Sequence, residues 1–191
     1  MLSICVFCGA RGGDTDVYGT AAAELATSLA TAGHRLVYGG GSTGIMGSLA
    51  DGMLAAGGDV IGVITEQLAQ PELMHFGVTD MRITADMHQR KATMHALSDV
   101  YIALPGGLGT MEEFFEAVTW AQLELHARPI AILNLNGLYD GLVELLDTMK
   151  QRGFLSPRCR SLVTVTSSVE ELCGWLEGLS AALGSTDSQG G

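Results

Sequence analysis

The run Val100-Tyr101-Ile102-Ala103-Leu104, followed by Pro105-Gly106-Gly107-Leu108-Gly109-Thr110-Met111-Glu112-Glu113, restricts the fold more than any other part of the chain. The five apolar residues read as a buried strand. Phe114-Phe115-Glu116-Ala117-Val118-Thr119-Trp120 reads as a helix. A glycine-rich turn between strand and helix aims bare backbone N–H groups at one point, on the positive end of the helix dipole. That point favours a phosphate. Glu113 is then fixed one turn into the same helix, so the element can hold a phosphorylated molecule and present a carboxylate to it.

The same alternation runs along the whole chain. The pattern predicts strands at 2–8, 35–38, 60–64, 79–84, 100–104, 129–134 and 162–166. Helices are expected at 15–32, 45–56, 86–97, 110–126, 138–151 and 169–183. Between residues 65 and 76 an extension shows weak periodicity. Short apolar strands alternating with helices imply βαβ units and a parallel sheet covered on both faces. Right-handed crossovers then give an α/β, Rossmann-like, doubly wound fold with ligands beyond the carboxyl ends of the strands. One domain over residues 1–183 is expected, with 184–191 as a disordered tail.

Composition narrows the function. No apolar run approaches the ~20 residues of a membrane span, and Met1 to Phe7 lacks a basic leader, so a cytoplasmic protein with no membrane partner is expected. Net charge is −11 with ten Lys and Arg. That balance argues against a nucleic-acid partner, which needs many cations, but permits one small phosphorylated ligand. Cys5 and Cys8 have CxxC spacing. Residues three apart on a strand face opposite ways, so buried thiols are expected rather than a metal pair. The five His residues form no ligand set; neither metal nor cofactor is expected.

Three elements carry the chemistry. Gly39-Gly40-Gly41-Ser42-Thr43-Gly44 is a second glycine-rich turn, neither GxGxxG nor a Walker loop. It reads either as a tight strand-to-helix turn or, with Gly41, Ser42 and Thr43, as part of the ligand site. Thr110 and Glu113 match the capping box S/T-x-x-E, so Glu113 serves either its own helix or a ligand. On the 86–97 helix, Met87, Arg90, Met94 and Leu97 share a face, which sets an arginine in an apolar stripe. Arg90 then makes an internal salt bridge, snorkels to the edge, or meets a carboxylate and a ligand; Lys91 beside it is placed to meet a phosphate. No Ser or Cys nucleophile has a His partner. A carboxylate beside a phosphorylated sugar suits stabilisation of an oxocarbenium-like centre or activation of water.

Met87-His88-Gln89-Arg90-Lys91 together with the PGGxGTxxE segment resembles the LONELY GUY (LOG) family, cytokinin-activating phosphoribohydrolases often mislabelled lysine decarboxylases. The likeness extends to Val6-Phe7-Cys8-Gly9, Leu36-Val37-Tyr38-Gly39-Gly40-Gly41, Gly44-Ile45-Met46-Gly47 and Thr119-Trp120-Ala121-Gln122-Leu123. The resemblance implies a Rossmann-like homodimer whose sites are completed by both subunits. It implies hydrolysis of an N6-modified adenosine 5′-monophosphate to free base and ribose 5-phosphate. Carried over, Arg90 and Glu113 form the catalytic pair. In the substrate-binding run Gly106, Gly107, Leu108, Gly109, Thr110 and Met111, the phosphate binders are Gly107, Gly109 and Thr110, with Lys91, Glu112, Thr119 and Glu72 as further substrate contacts. The chain departs from the pattern at Gly9-Ala10-Arg11-Gly12, where many members have serines after the glycine, and at Thr65, where members often have proline. A decarboxylase reading conflicts with the lysine content: Lys91 and Lys150 are the only two, and pyridoxal phosphate needs a Schiff-base lysine.

Overall fold

The computed structural model describes residues 1–186, with side chains described through residue 182. Its strands are β1 (Ser3–Phe7), β2 (Arg35–Tyr38), β3 (Asp59–Thr65), β4 (Asp80–Thr84), β5 (Val100–Ala103), β6 (Ile130–Leu133) and β7 (Val163–Thr166). The helices are α1 (Val17–Thr31), α2 (Gly44–Ala55), α3 (Met87–Ala96), α4 (Leu108–Gln122), α5 (Asp140–Gln151), α6 (Pro157–Arg160) and α7 (Val169–Thr186). All seven strands pair in parallel, in the order β4-β3-β2-β1-β5-β6-β7. This is the Rossmann-like α/β fold that the alternation predicts.

Side-chain alternation in the central strands separates two cores. Ile4 and Val6 point to the face covered by α1, α2 and α7, where they meet Leu25, Leu49 and Leu172. Cys5 and Phe7 point to the opposite face, covered by α3 and α4, with Met94, Phe114 and Ala117. Cys5 and Cys8 therefore lie in different cores, both buried. Burial drives both thiols up, so neither is a thiolate near neutral pH.

The structure corrects several boundaries. The connection from β3 to β4 carries no helix. It runs across the carboxyl end of β2, where His75 N–H donates to the Gly40 carbonyl (3.0 Å) and Ser42 N–H to the Leu73 carbonyl (2.8 Å). Helix α4 covers 108–122 rather than 110–126. The short α6 was not expected; Ser156 caps it, accepting from the Cys159 N–H. Residues 184–186, expected as the start of a disordered tail, belong to α7; 187–191 lie outside the described residues.

Helices α1 and α2 cross through small residues. A Cβ added at Gly52 would lie 3.1 Å from both Ala23 Cα and Ala26 Cβ. Gly52→Leu should therefore overpack the crossing and lower stability by about 1–3 kcal/mol. Urea unfolding checks this, and an unchanged midpoint would contradict so tight an approach.

Candidate active site

In the sheet order, the direction of winding reverses between β1 and β5. The loops after these neighbouring strands diverge and leave a crevice at their carboxyl ends. Close backbone contact fixes the two loops. Gly9 N–H donates to the Pro105 carbonyl (3.0 Å), and a Cβ on Gly9 would come within 3.3 Å of Gly106 Cα. A Cβ on Gly106 would strike the Thr110 side chain and lie 2.9 Å from Gly9 N. Glycine is thus required at 106 and leaves little room to spare at 9 where the strand ends meet.

A cavity of about 730 Å³ opens there, within the ordinary range for small-molecule sites. Of the predicted site residues, Arg90, Gly106, Gly107, Leu108, Gly109, Thr110 and Glu113 line it. Helix α4 starts here with Gly107 as its N-cap, no side-chain cap and no acidic residue in its first turn. Its first amides and its dipole are therefore left open to an anion. Thr110 lies inside the helix, so the capping box of Thr110 and Glu113 does not form. Cβ atoms at Gly107 and Gly109 would meet nothing within 4 Å. Packing does not demand glycine at either position; open approach to the backbone does.

Glu113 projects from the next turn of α4 and is 8% exposed. Arg90, on α3, is 7% exposed and is held mainly by the sheet. Its Nε donates to the Val63 carbonyl (2.9 Å) and one terminal nitrogen to the Gly39 carbonyl (3.2 Å). Any Cβ at Gly39 would collide with the guanidinium. The distance from Arg90 to Glu113 Oε1 is 3.8 Å, an ion pair without a hydrogen bond. Burial therefore outweighs Coulombic attraction, and the Glu113 carboxyl is raised to about 7; Arg90 pulls it back and Glu112 adds to the rise. Such a group exchanges protons near neutrality, as an acid–base or charge-stabilising carboxylate must.

Other predicted contacts lie outside this cavity. Lys91 reaches away from it to Glu112 (2.5 Å) and Glu116 (2.6 Å). Glu112, Thr119 and Glu72 are exposed, and Met111 packs against the α3–α4 core. The Gly41-Ser42-Thr43 turn braces neighbouring chain. Gly41 bridges to Met74, the Ser42 hydroxyl donates to the Leu73 carbonyl (3.2 Å), and the Thr43 hydroxyl donates to the Ala10 carbonyl (3.1 Å). Met87, expected on the buried stripe, is 42% exposed; its sulfur meets the Arg90 guanidinium at 3.3 Å.

The sequence did not single out Tyr18, Met46 or Leu138 as cavity walls. In Tyr18 and Leu138 the signal is absent, because apolar residues at helix starts ordinarily read as packing. Neither Lys91 nor Lys150 lines the cavity; Lys150 sits on α5, 3.8 Å from Asp147. Among the described residues no group of three or more His, Cys, Asp or Glu is arranged to hold a metal, and no helix is long and apolar enough to cross a membrane.

A family model described as "possible lysine decarboxylase" matches residues 46–176. A probable cytokinin riboside 5′-monophosphate phosphoribohydrolase of Oryza sativa subsp. japonica is 44% identical, covering 91% of this chain and 78% of its own length. The cytokinin riboside 5′-monophosphate phosphoribohydrolase of Rhodococcoides fascians is 46% identical, covering 88% and 85% respectively. The chain belongs to the LOG family. Among solved structures, the Moco carrier protein of Chlamydomonas reinhardtii superposes with a TM-score of 0.70 at 24% identity, over 95% of this chain and 98% of that one. At that identity the likeness is one of fold.

Gly109→Ala should keep or raise stability, since alanine favours the helix by up to about 1 kcal/mol, while weakening phosphate binding. Gly106→Ala should lose stability as well. Thermal melts and calorimetry with inorganic phosphate separate the two, and equal behaviour would refute the distinction.

The Glu113 carboxyl makes stability depend on pH. Its folded value of about 7 lies above the ordinary 4.5. The native state thus keeps a proton that the unfolded chain releases, and stability falls as pH rises between those values. The full cost, on the order of 3 kcal/mol, is reached above pH 7. Glu113→Gln should therefore melt higher than wild type at pH 8 by more than at pH 5. A difference independent of pH would show that the carboxyl is not so shifted.

Proposed function

We propose that the chain hydrolyses the N-glycosidic bond of adenosine 5′-monophosphates, N6-modified ones included, giving the free base and ribose 5-phosphate. The observation that carries this reading is a buried carboxyl poised near neutrality, Glu113, one turn from an uncapped helix N-terminus in the same cavity. The activity is the one for which the Oryza and Rhodococcoides relatives are named.

The open amides of Gly107 to Thr110 take the 5′-phosphate. That anchor sets the ribose against Glu113. As the bond from C1′ to the purine nitrogen lengthens, positive charge develops on the sugar. The ionised Glu113 stabilises it in a partly dehydrated site and orients the water that attacks C1′. Arg90, fixed by two carbonyls, holds Glu113 in place and offers its free edge to the sugar phosphate.

The active unit is a homodimer. Lys91, Glu112, Thr119 and Glu72 lie outside one protomer's cavity. We assign them to substrate contacts made across the subunit boundary. All four cysteines are free thiols, which suits the reducing cytoplasm where nucleotides are abundant. The decarboxylase description of the family fits poorly, because neither lysine lines the cavity. A cofactor carrier would use the same cradle but have no need for a perturbed Glu113.

Chromatography of reactions with nucleosides and their mono-, di- and triphosphates should show cleavage of monophosphates alone. kcat/KM should rise with pH and level off above about 7, as Glu113 ionises. Glu113→Gln should lose at least about a hundredfold in turnover. Full turnover by that variant would remove Glu113 from the mechanism.

A further inference from the structure

The cavity holds a second cation that the reading above does not use. Arg11, an exposed residue, lines it from the loop after β1, as does Asp14. Arg35, Arg82, Arg158 and Arg160 are each tied to an aspartate or glutamate. Arg11 has no such partner among the described residues, although Asp14 and Asp16 lie on its own loop.

Its backbone, by contrast, is firmly placed. Met46 N–H donates to the Gly9 carbonyl (3.2 Å), and the Thr43 hydroxyl donates to the Ala10 carbonyl (3.1 Å). Gly44, at φ +60, packs so closely that a Cβ there would strike Ala10 and Arg11 main chain. The second glycine-rich turn thereby sets the position from which the Arg11 side chain departs.

We propose that Arg11 is a specificity residue that grips the substrate phosphate from the side opposite α4. The inference rests on the phosphoribohydrolase reading for its substrate, but concerns binding alone. Helix amides engage one side of a tetrahedral phosphate and leave oxygens directed across the mouth. A guanidinium meets such oxygens with paired, charge-assisted hydrogen bonds. An arginine at this place makes phosphate recognition stronger and salt-sensitive. Arg11 touches no reacting atom and so contributes to ground state and transition state alike.

The test compares wild type, Arg11→Ser and Arg11→Lys, each as the full chain with its melting midpoint recorded. Calorimetry with ribose 5-phosphate, inorganic phosphate and adenine is combined with kinetics on AMP at low and high salt. In Arg11→Ser, affinity for ribose 5-phosphate and phosphate should fall roughly tenfold, the size of one charged hydrogen bond. Adenine binding should be unchanged, KM for AMP should rise with kcat within about twofold, and the salt dependence of KM should flatten. Arg11→Lys should recover part of the loss. Wild-type affinity for ribose 5-phosphate in Arg11→Ser, or an equal loss for adenine, would overturn the assignment. So would failure of wild type to bind ribose 5-phosphate. If wild type binds ribose 5-phosphate through Arg11 yet never cleaves AMP, the proposed reaction falls and Arg11 stands. If AMP is cleaved with unchanged KM in Arg11→Ser, Arg11 alone falls.

Discussion

Removal of Arg90 and Glu113 from water is the constraint on which the site depends. Ions this deeply buried need compensation, and a lone carboxylate opposite a guanidinium is the usual source. Here the guanidinium is compensated first by main-chain carbonyls at the carboxyl ends of β2 and β3. Glu113, at 3.8 Å, receives attraction without a hydrogen bond. Had the pair closed to a tight bridge, the carboxylate would be stabilised and its proton affinity low. The sheet keeps the cation for itself, and the carboxyl stays near neutrality. Desolvation wins over Coulomb because geometry lets it.

Glycines make this arrangement possible in two different ways. At Gly39 and Gly106 a side chain would collide with Arg90 or with Thr110, and at Gly9 it would press on the opposite loop. These positions let the sheet's carboxyl edge close up. At Gly107 and Gly109 a side chain would meet open space. There the missing Cβ exposes amides at the start of α4. One short motif thus mixes residues needed to build the crevice with residues needed to leave it open. Substitution would reveal the difference, since the first kind should cost stability and the second should cost binding.

Much of this was legible in the sequence because local signals and tertiary outcome agree. Short apolar runs with β-branched residues, most of them followed by a helix and several by glycine, admit few arrangements other than a parallel doubly wound sheet. The PGGxGT turn, its position after a strand, and an acid one helical turn later were all local. So was the conflict of an arginine on the stripe with Met94. What was not legible depends on distance in the chain. Nothing around residue 90 indicates that its hydrogen-bond partners are carbonyls at 39 and 63. The capping box failed for a related reason: the helix starts at Leu108, two residues before Thr110, because Gly107 can leave strand geometry without a side-chain cap. The Gly39–Gly44 turn read equally as a tight turn or as part of the ligand site, and Ser42 and Thr43 spend their hydroxyls on Leu73 and Ala10. A glycine-rich sequence specifies a tight backbone but not what that backbone faces.

The registry of α3 against α4 decides whether Arg90 and Glu113 face each other at all, and a chain of polar contacts fixes it. Lys91 joins Glu112 and Glu116; Glu116 meets His95 Nε2 at 3.2 Å; His95 Nδ1 meets the Tyr101 hydroxyl at 2.7 Å; Arg128 donates to the same hydroxyl at 2.9 Å. His95 also stacks on Trp120, with ring centroids 4.4 Å apart. Burial lowers the His95 proton affinity, so near neutrality it is held as the neutral ring between a carboxylate and a phenol. Lys91 and Glu112 are the direct sequence neighbours of Arg90 and Glu113. A slip of one residue between the helices would displace this chain together with the buried pair, so the partly exposed ladder and the 3.8 Å pair share one registry. A network of this kind adds little net stability for its size, and its contribution is the selection of one packing among several that an apolar contact alone would tolerate.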